Sequence, residues 1–235
     1  TALQAALASG EIAAVLAEPV MTNCGMILPD DGFHDALRRL TRRHGALLIL
    51  DETHTLSSGP AGYAGLHDLR PDMLTIGKAI AGGVPAAVWG VTADMAARMD
   101  DAQARAGPGS SGIGTTLSGA ALAMRAIAVM LEDVITEASY VPMLRGAERL
   151  VGGLRAVIAE TQVPWSVAHV GARAELIFAP EPPRDAAAMR RVLNPDALEA
   201  CHLYLINQGV LIAPFHNMML ISPQTHDDAI DRLTA

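Results

Sequence analysis

Apolar positions along the chain fall into short continuous runs and longer stretches with helical spacing. Ile12 to Ala17 and Ala46 to Leu50 are uninterrupted runs of strand length, and each ends at acidic residues. Between them, Asp31 to His44 carries apolar residues three and four positions apart, and Gly45 stands where a helix-ending glycine is expected. A strand, a helix and a strand in this order predict a right-handed βαβ unit with parallel strands.

Two more apolar runs, Met73 to Gly77 and Pro85 to Val91, predict a third and a fourth strand. The segment between them is too short for the dozen or more residues that a parallel crossover needs, so the fourth strand is expected to return antiparallel. The predicted fold class is therefore α/β, with a mostly parallel sheet that includes one antiparallel strand. Ligands of such sheets bind at the carboxyl ends of the strands, here near Glu18 and Asp51.

The segments between and after these strands predict two domains, at 1–134 and 135–235. Residues 52–72 are polar and rich in glycine and serine, and are interpreted as a long functional loop. Residues 101–114 are the most loop-like of the chain, and Leu117 to Leu131 is a helical run. The second domain is predicted to be α+β, from Val141–Glu160 (helix), Glu175–Phe178 (strand), Pro195–Gln208 (helix), Val210–Ile212 and Met218–Ile221 (strands) and a last helix near Thr225.

Composition narrows the class of protein. The chain has 235 residues, a net charge of -8, 51% hydrophobic residues and only 3% aromatic residues, which excludes disordered, collagen-like and disulfide-rich proteins. The acidic balance argues against a nucleic-acid binder, and no apolar run reaches the roughly 20 residues of a membrane span. Cys24 and Cys201 lie far apart, which favours a reducing compartment, expected to be the cytoplasm, and indicates no metal site.

Asp51 and Lys78 follow the ends of strands expected to be neighbours, so an acid and an amine face one crevice. Taken singly, Asp51 is explained by a turn and Lys78 by a solvated surface amine. Pyridoxal phosphate (PLP) catalysis needs both groups, because a lysine holds the cofactor as a Schiff base and a carboxylate pairs with the pyridine nitrogen. The lysine released by the substrate amine then moves the proton.

Five segments in chain order carry a family resemblance: AAVLAEPVMTNCGMILPDDGF, GALLILDETHTLSSG, LRPDMLTIGKAIAGGVPAAVWG, GTTLSGAALAMRA and GVLIAPFHNMMLISPQTHDDAIDRL. Together they resemble the signatures of class III (fold type I) PLP aminotransferases, with the glutamate-1-semialdehyde aminomutase branch the most similar. The resemblance implies the fold: a portion of the large domain of PLP transferases of fold type I, followed by a small C-terminal domain.

The resemblance also implies roles for individual residues. Asp51 would pair with the pyridine nitrogen, and Lys78 would form the internal aldimine. Thr116 resembles the threonine that reaches the cofactor phosphate of the neighbouring subunit, and its expected place at a helix start suits an anion; a plain N-cap is the alternative. Glu18 and Asn23 match a stretch that lines the cofactor side of the sheet, and Asn23 either contacts the cofactor or orders the loop.

The chain also departs from the family pattern. Thr53 replaces a valine behind the cofactor ring, and His54 is placed to touch the ring or the substrate, with a structural role as the alternative. Where relatives often carry Gly-Phe-Arg, this chain has Leu56-Ser57-Ser58, so an arginine for the substrate carboxylate is missing. Arg173 is the candidate replacement, with a surface ion pair to Glu175 as the alternative. His216 is expected to border the substrate pocket.

The function that the resemblance implies is amino transfer from an amino acid or amine to a keto acid or aldehyde, in a homodimer with the site at the interface. An aminomutase, which moves the amine within one molecule, and a non-catalytic binding module remain alternatives. Family members are longer, and their preceding half supplies a phosphate-binding turn and an aromatic residue that stacks on the ring. The chain is therefore expected to correspond to the C-terminal portion of such an enzyme.

Overall fold

A computed structural model of the chain describes residues 2–110, 112–213 and 216–235. The contacts between residues divide the chain into two compact units. Unit 1 comprises Thr1–Pro19, Gly32–His54 and His67–Thr136, and unit 2 comprises Val20–Asp31, Thr55–Leu66 and Glu137–Ala235. None of the helices formed by the described residues is both long enough and apolar enough to cross a lipid bilayer.

Unit 1 is built on a four-stranded sheet whose spatial order equals its chain order, β1-β2-β3-β4. The strands are β1 (Ala14–Ala17), β2 (Leu47–Asp51), β3 (Met73–Ile76) and β4 (Val88–Val91). β1, β2 and β3 are parallel, and β4 pairs antiparallel to β3. The predicted α/β class with one antiparallel strand is confirmed.

The helix of the βαβ unit is α2 (Phe33–Arg43), which packs against β2. It ends where the sequence predicts, because Gly45 adopts the left-handed backbone with φ 67° and the amide of Ala46 donates to the Thr41 carbonyl. Leu48 and Leu50 of β2 are buried. Ile49 and Asp51 alternate with them and therefore point to the opposite face of the sheet.

The other helices of unit 1 correct part of the sequence prediction. They are α1 (Ala2–Leu7), α4 (Ala93–Ala104) and α5 (Ala121–Val129), which continues as a π-helix over Met130–Val134. α4 was not predicted, although Thr92 caps its start by accepting from the Met95 amide. The helix expected from Leu117 begins only at Ala121, because the residues before it form a turn.

Unit 2 contains an antiparallel sheet of order β5-β6-β7. Its strands are β5 (Ser166–Val170), β6 (Arg173–Ile177) and β7 (Met218–Leu220), and its helices are α3 (Gly62–Leu66), α6 (Glu137–Thr161), α7 (Ala186–Val192), α8 (Pro195–Asn207) and α9 (Asp227–Thr234). α6 packs against β5, β6 and α9. β5 and α7 were not predicted, and Val210–Ile212, expected as a strand, is irregular.

The segment 52–72, interpreted from the sequence as a loop, contains a 3-10 turn over Thr55–Ser58 as well as α3. The 3-10 turn is buried and is held by the β5–β6 hairpin. Ala172 N donates to the Ser57 carbonyl, and Gly171, with φ 55°, lies so close that an added Cβ would stand 2.5 Å from Ser58 Cα. Tyr140 Oη of α6 donates to the Leu56 carbonyl at 2.7 Å.

Candidate active site

The carboxyl ends of β2 and β3 bring the acid and the amine of the sequence prediction to one edge of the unit 1 sheet. Asp51, the last residue of β2, is in register with Thr75 of the parallel neighbour β3. Lys78 comes three residues after Thr75, so it leaves the sheet at the strand next to Asp51. Asp51 is half-buried, whereas Lys78 is exposed.

Thr53 connects these two strand ends. Its amide donates to Asp51 Oδ1 at 2.9 Å, and its hydroxyl accepts from the Gly77 amide at 3.0 Å. From the sequence, Thr53 is expected to replace a valine behind the ring, with its hydroxyl hydrogen-bonded elsewhere, and the structure identifies that partner as the Gly77 amide. The Thr53 hydroxyl thereby fixes the position of Gly77, the residue before Lys78, relative to the Asp51 carboxylate.

Lys78 has an uncommon backbone conformation. Its φ is 49°, in the left-handed region that residues with a Cβ seldom adopt, and it begins a 3-10 turn that ends at Gly82. This tight turn lets the chain return at once into the antiparallel β4. Strain of this kind persists where the surrounding structure enforces it, and it concentrates at functional sites.

Lys78 is also the only lysine among the 235 residues, and the other 16 of the 17 basic residues are arginines. Every other basic residue of the chain is an arginine. A role as a solvated surface amine is therefore a poor explanation for Lys78. An amine can form a bond to a carbonyl carbon, whereas a guanidinium does not lose its proton in proteins. The single lysine therefore indicates a chemical role.

A groove of about 410 Å³ lies on the sheet face that carries Asp51. It is lined by Leu16, Ile49, Asp51, Met73, Thr75, Trp89, Met99 and Ile113. Asp51 is the one charged residue among these described lining residues. The groove is an open apolar face of the sheet beside Asp51, and Lys78 is not among its described lining residues.

The remaining predicted residues of unit 1 have different surroundings. Glu18 follows β1 and is half-buried, and His54 is buried with a residual exposure of 6%. Thr116 lies in an exposed turn. The expectation that Thr116 starts a helix is wrong, since α5 begins five residues later, with Ala120 at its N-cap position.

The predicted residues of unit 2 gather around β6 and the turn at 22–26. Arg173 Nε donates to Ser57 Oγ at 3.1 Å, and its Nη1 lies 4.0 Å from Met218 Sδ. His216 Nε2 is 3.0 Å from the Thr22 carbonyl oxygen. Asn23, the next residue in the turn, is exposed.

Glu175, expected from the sequence only as a surface partner of Arg173, has a different environment in the structure. The side chain of Glu175 is only 3% exposed, and its Oε1 lies 2.9 Å from His216 Nδ1. A single acid inside the apolar run Ala174 to Phe178 was the available signal, because a charged residue in such a strand is buried with a partner or faces solvent. Within the described ranges, no cluster of His, Cys, Asp and Glu side chains could hold a metal ion.

Comparison with protein families gives one match over almost the whole chain. The family model described as aminotransferase class-III matches residues 1–234. Among curated proteins, a glutamate-1-semialdehyde 2,1-aminomutase from Anaeromyxobacter sp. (strain K) is 37% identical over 229 residues, which are 95% of this chain and 51% of that protein. The chain thus spans about half the length of this curated relative.

Solved structures are similar over the same extent. A glutamate-1-semialdehyde-aminomutase from Pseudomonas aeruginosa PAO1, seen as a lysine-to-alanine variant in complex with PMP, has a TM-score of 0.94 and 45% identity, and the match covers 99% of this chain and 52% of that one. A β-phenylalanine aminotransferase from Variovorax paradoxus has a TM-score of 0.85 and 28% identity over 99% of this chain and 54% of its own.

Proposed function

Because the chain belongs to the class III aminotransferase family, we propose that it forms part of a PLP-dependent aminotransferase. The reaction moves an amino group from an amino acid or amine to a keto acid or aldehyde. The observation that carries the proposal is that the only lysine of the chain, Lys78, is tied through Gly77 and Thr53 to the carboxylate of Asp51. An amine and a carboxylate at one sheet edge are the two groups that this cofactor requires.

Asp51 and Lys78, at one edge of the sheet, are the two groups that would hold the cofactor. When bound, PLP supplies an electron sink for the substrate carbon next to the transferred nitrogen. Asp51 would keep a proton on the pyridine nitrogen, because a carboxylate stabilises the charged form of a neighbouring base. Lys78 would hold the cofactor and, once the substrate amine has replaced it, take a proton from the substrate carbon and return it.

Other residues would complete the site. Glu18 leaves β1 at the same sheet edge, and the buried His54 would shape the cofactor side of the site, so that it acts through packing. Asn23 would contact the cofactor or the substrate, since it is the exposed residue of the turn 22–26. Arg173 would bind a substrate carboxylate, because a guanidinium braced by Ser57 and Met218 can present a fixed pair of donors.

We propose that the working unit is a cytoplasmic homodimer in which Thr116 reaches the cofactor phosphate of the neighbouring subunit. The exposed position of Thr116, next to the equally exposed Leu117, supports a role at an interface. The cysteines Cys24 and Cys201 are both thiols, which agrees with a reducing compartment.

An aminomutase is the second candidate, favoured by the names of the relatives at 37% and 45% identity. Both reactions use the same lysine and carboxylate. They differ in whether a second molecule must accept the amine. Product that forms without any added keto acid or external amine donor would favour the aminomutase and contradict the transaminase proposal.

The test of the cofactor proposal uses the single lysine. Protein incubated with PLP should turn yellow, and after borohydride reduction the cofactor mass should appear on the peptide that contains Lys78. Lys78→Arg is the matched control, because it keeps the positive charge but cannot form the bond. Wild-type protein that takes up no cofactor would contradict the enzyme proposal and favour a binding module in which Lys78 and Asp51 are only an ion pair.

A further inference from the structure

A buried acid and a buried imidazole hold the turn that carries Asn23. Glu175 of β6 accepts a hydrogen bond from the Met26 amide at its Oε2, at 2.5 Å. Its Oε1 lies 2.9 Å from His216 Nδ1, and the two side chains are only 3% and 9% exposed. A carboxylate at such depth is costly unless its oxygens are engaged; here Oε2 accepts a hydrogen bond and Oε1 lies at ion-pair distance from the imidazole.

His216 extends this contact to the other end of the turn. Its Nε2 lies 3.0 Å from the carbonyl oxygen of Thr22. A carbonyl oxygen can only accept, so Nε2 must carry a proton and donate it. Glu175 and His216 therefore hold both ends of one five-residue turn, at the Thr22 carbonyl and at the Met26 amide.

The turn itself is closed and tightly packed. Ile27 N donates to the Met21 carbonyl at 2.8 Å, just outside the two ends. Gly25 has φ 92°, and a Cβ at this position would collide with the side chain of Met189. Thr22, Gly25 and Met26 are buried, whereas Asn23 is exposed. The packing thus fixes the turn and leaves the Asn23 side chain directed outward.

The backbone of His216 adds conformational strain to this arrangement. Its φ of 36° lies in the left-handed region, which is strained for a residue with a side chain. The side chain of the next residue, Asn217, is also held, because its Nδ2 donates to the Leu176 carbonyl at 3.3 Å. Hydrophobic packing alone would hold a surface turn, without a buried acid or a strained histidine. The presence of both indicates that the turn Thr22–Met26 must be placed precisely.

We propose that Glu175 and His216 are positioning residues that fix the turn Thr22–Met26 and thereby the direction of the Asn23 side chain. This inference rests on the proposed function, in which Asn23 contributes to the site. It also gives His216 a role different from the substrate contact that the sequence suggests, because His216 acts through the turn.

The first experiment compares Glu175→Ala with Glu175→Gln in the protein loaded with PLP. Glutamine keeps an oxygen that accepts from the Met26 amide, and its NH₂ group donates to His216 Nδ1 in the tautomer that carries its proton on Nε2. Alanine leaves both without a partner. We expect Glu175→Ala to raise the dissociation constant for PLP about tenfold or more, and Glu175→Gln to stay within about threefold of wild type, since small misplacements of binding groups have effects of this size.

A second readout follows the turn without reference to activity. Hydrogen–deuterium exchange at the Met26 amide should accelerate strongly in Glu175→Ala and little in Glu175→Gln. The matched control is Val151→Ala, which removes core volume from α6 in the same unit and leaves the turn untouched. It should lower the unfolding temperature while Met26 exchange and PLP affinity stay as in wild type.

A double-mutant cycle decides whether Glu175 acts through Asn23. Asn23→Ala should weaken PLP binding without loss of stability, and adding Glu175→Ala to it should weaken binding little further. Strictly additive losses, or a Glu175→Ala protein with unchanged Met26 exchange and PLP affinity, would overturn the inference.

Should Glu175→Ala not fold, His216→Gln and His216→Ala replace it, with the glutamine variant expected to retain the donor to Thr22. Wild-type protein that binds no PLP on Lys78 would instead refute the proposed function, and Met26 exchange would still decide whether the turn is held by Glu175.

Discussion

At the scale of single residues, the placement of Lys78 depends on one hydroxyl group. The Thr53 hydroxyl is the acceptor for the Gly77 amide, and Gly77 precedes a lysine whose backbone is in the left-handed region. A loosened Gly77 would let the lysine relax to a commoner backbone conformation and change the direction of its side chain. Thr53 thus controls the amine through the backbone.

Thr53→Val tests this control. Valine keeps the shape but removes the acceptor, so the Gly77 amide loses its partner, and we expect a loss of about 1 kcal/mol in the free energy of unfolding. Covalent uptake of PLP by Lys78 should slow as well. Thr53→Ser, which keeps the hydroxyl, should restore the uptake rate. Urea unfolding and stopped-flow absorbance measure the two effects, and an uptake rate in Thr53→Val equal to that of wild type would contradict this role.

The sequence predicted those site residues whose position follows from strand ends. Asp51 and Lys78 could be assigned because two apolar runs stop directly before them, and the carboxyl ends of parallel strands share an edge. The Glu175 contacts could not be predicted, because Glu175 is 149 residues from Met26 in sequence. No periodicity reports a pairing at that separation, and only the assembled β6–β7 sheet brings the groups together.

At the scale of elements, Asp72 connects α2 with the β2 and β3 strands. It accepts from Arg38 of α2 at 2.7 Å and 3.0 Å, and from the Leu48 amide of β2 at 2.7 Å. Burial alone would raise the pKa of the Asp72 carboxyl, but the hydrogen bonds from Arg38 and Leu48 outweigh it and hold that pKa below its ordinary value. The charged form of Asp72 therefore stabilises the fold.

Asp72→Asn should lower the free energy of unfolding by about 2 kcal/mol at neutral pH, since hydrogen bonds to a charged group are lost. A carboxyl whose pKa is lower in the folded state stabilises above its unfolded pKa of about 3.9, and this contribution is lost as the pH falls through the folded value. The difference between wild type and variant should therefore shrink in urea titrations below about pH 4.

The control for Asp72 is Asp68→Asn, which removes the pair between Asp68 and Arg70. These two side chains are largely exposed, at 79% and 71%. Exposed ion pairs contribute little to stability, so the free energy of unfolding of this variant should stay within about 0.5 kcal/mol of wild type at every pH. Equal losses in the two variants would mean that the hydrogen bonds of Asp72 to α2 and β2 have no special importance.

Elements were predicted well where their local signal is complete. α2 combines helical spacing with a glycine stop, and α8 begins with Asn194, whose side chain accepts from the Ala197 amide, followed by Pro195. β5 was missed because Ser166 and His169 interrupt its apolar pattern. α4 was missed because none of its residues is buried, so the sequence shows no apolar face there.

At the scale of the whole molecule, the predicted α/β fold of fold type I PLP transferases is confirmed by similar structures at TM-scores of 0.94 and 0.85. The chain nevertheless exposes large apolar side chains. Leu117 and Leu122, before and at the start of α5, are 81% and 74% exposed. Leu117 directly follows Thr116, so these leucines belong to the surface that the proposed homodimer would cover.

If the proposed homodimer uses this surface, Leu117→Glu combined with Leu122→Glu should convert the dimer to a monomer in sedimentation velocity experiments. Charged groups would then be forced into an apolar interface, where they lack partners. Ala104→Glu, on the exposed α4, adds a similar charge elsewhere and should leave the sedimentation coefficient unchanged. A doubly substituted protein that remains a dimer would exclude this surface from the interface.

The order of the unit 1 sheet also bears on how the protein is made. Because β1, β2, β3 and β4 lie side by side in the order in which they are synthesised, each strand emerging from the ribosome finds its partner already present. Assembly from sequence neighbours keeps loop closure short and favours rapid folding. The turn that begins at Lys78 leads towards β4, which pairs with β3 as the fourth strand of this sheet. We therefore expect a nascent chain to reach the folded backbone geometry at Lys78 after β4 has been synthesised and paired.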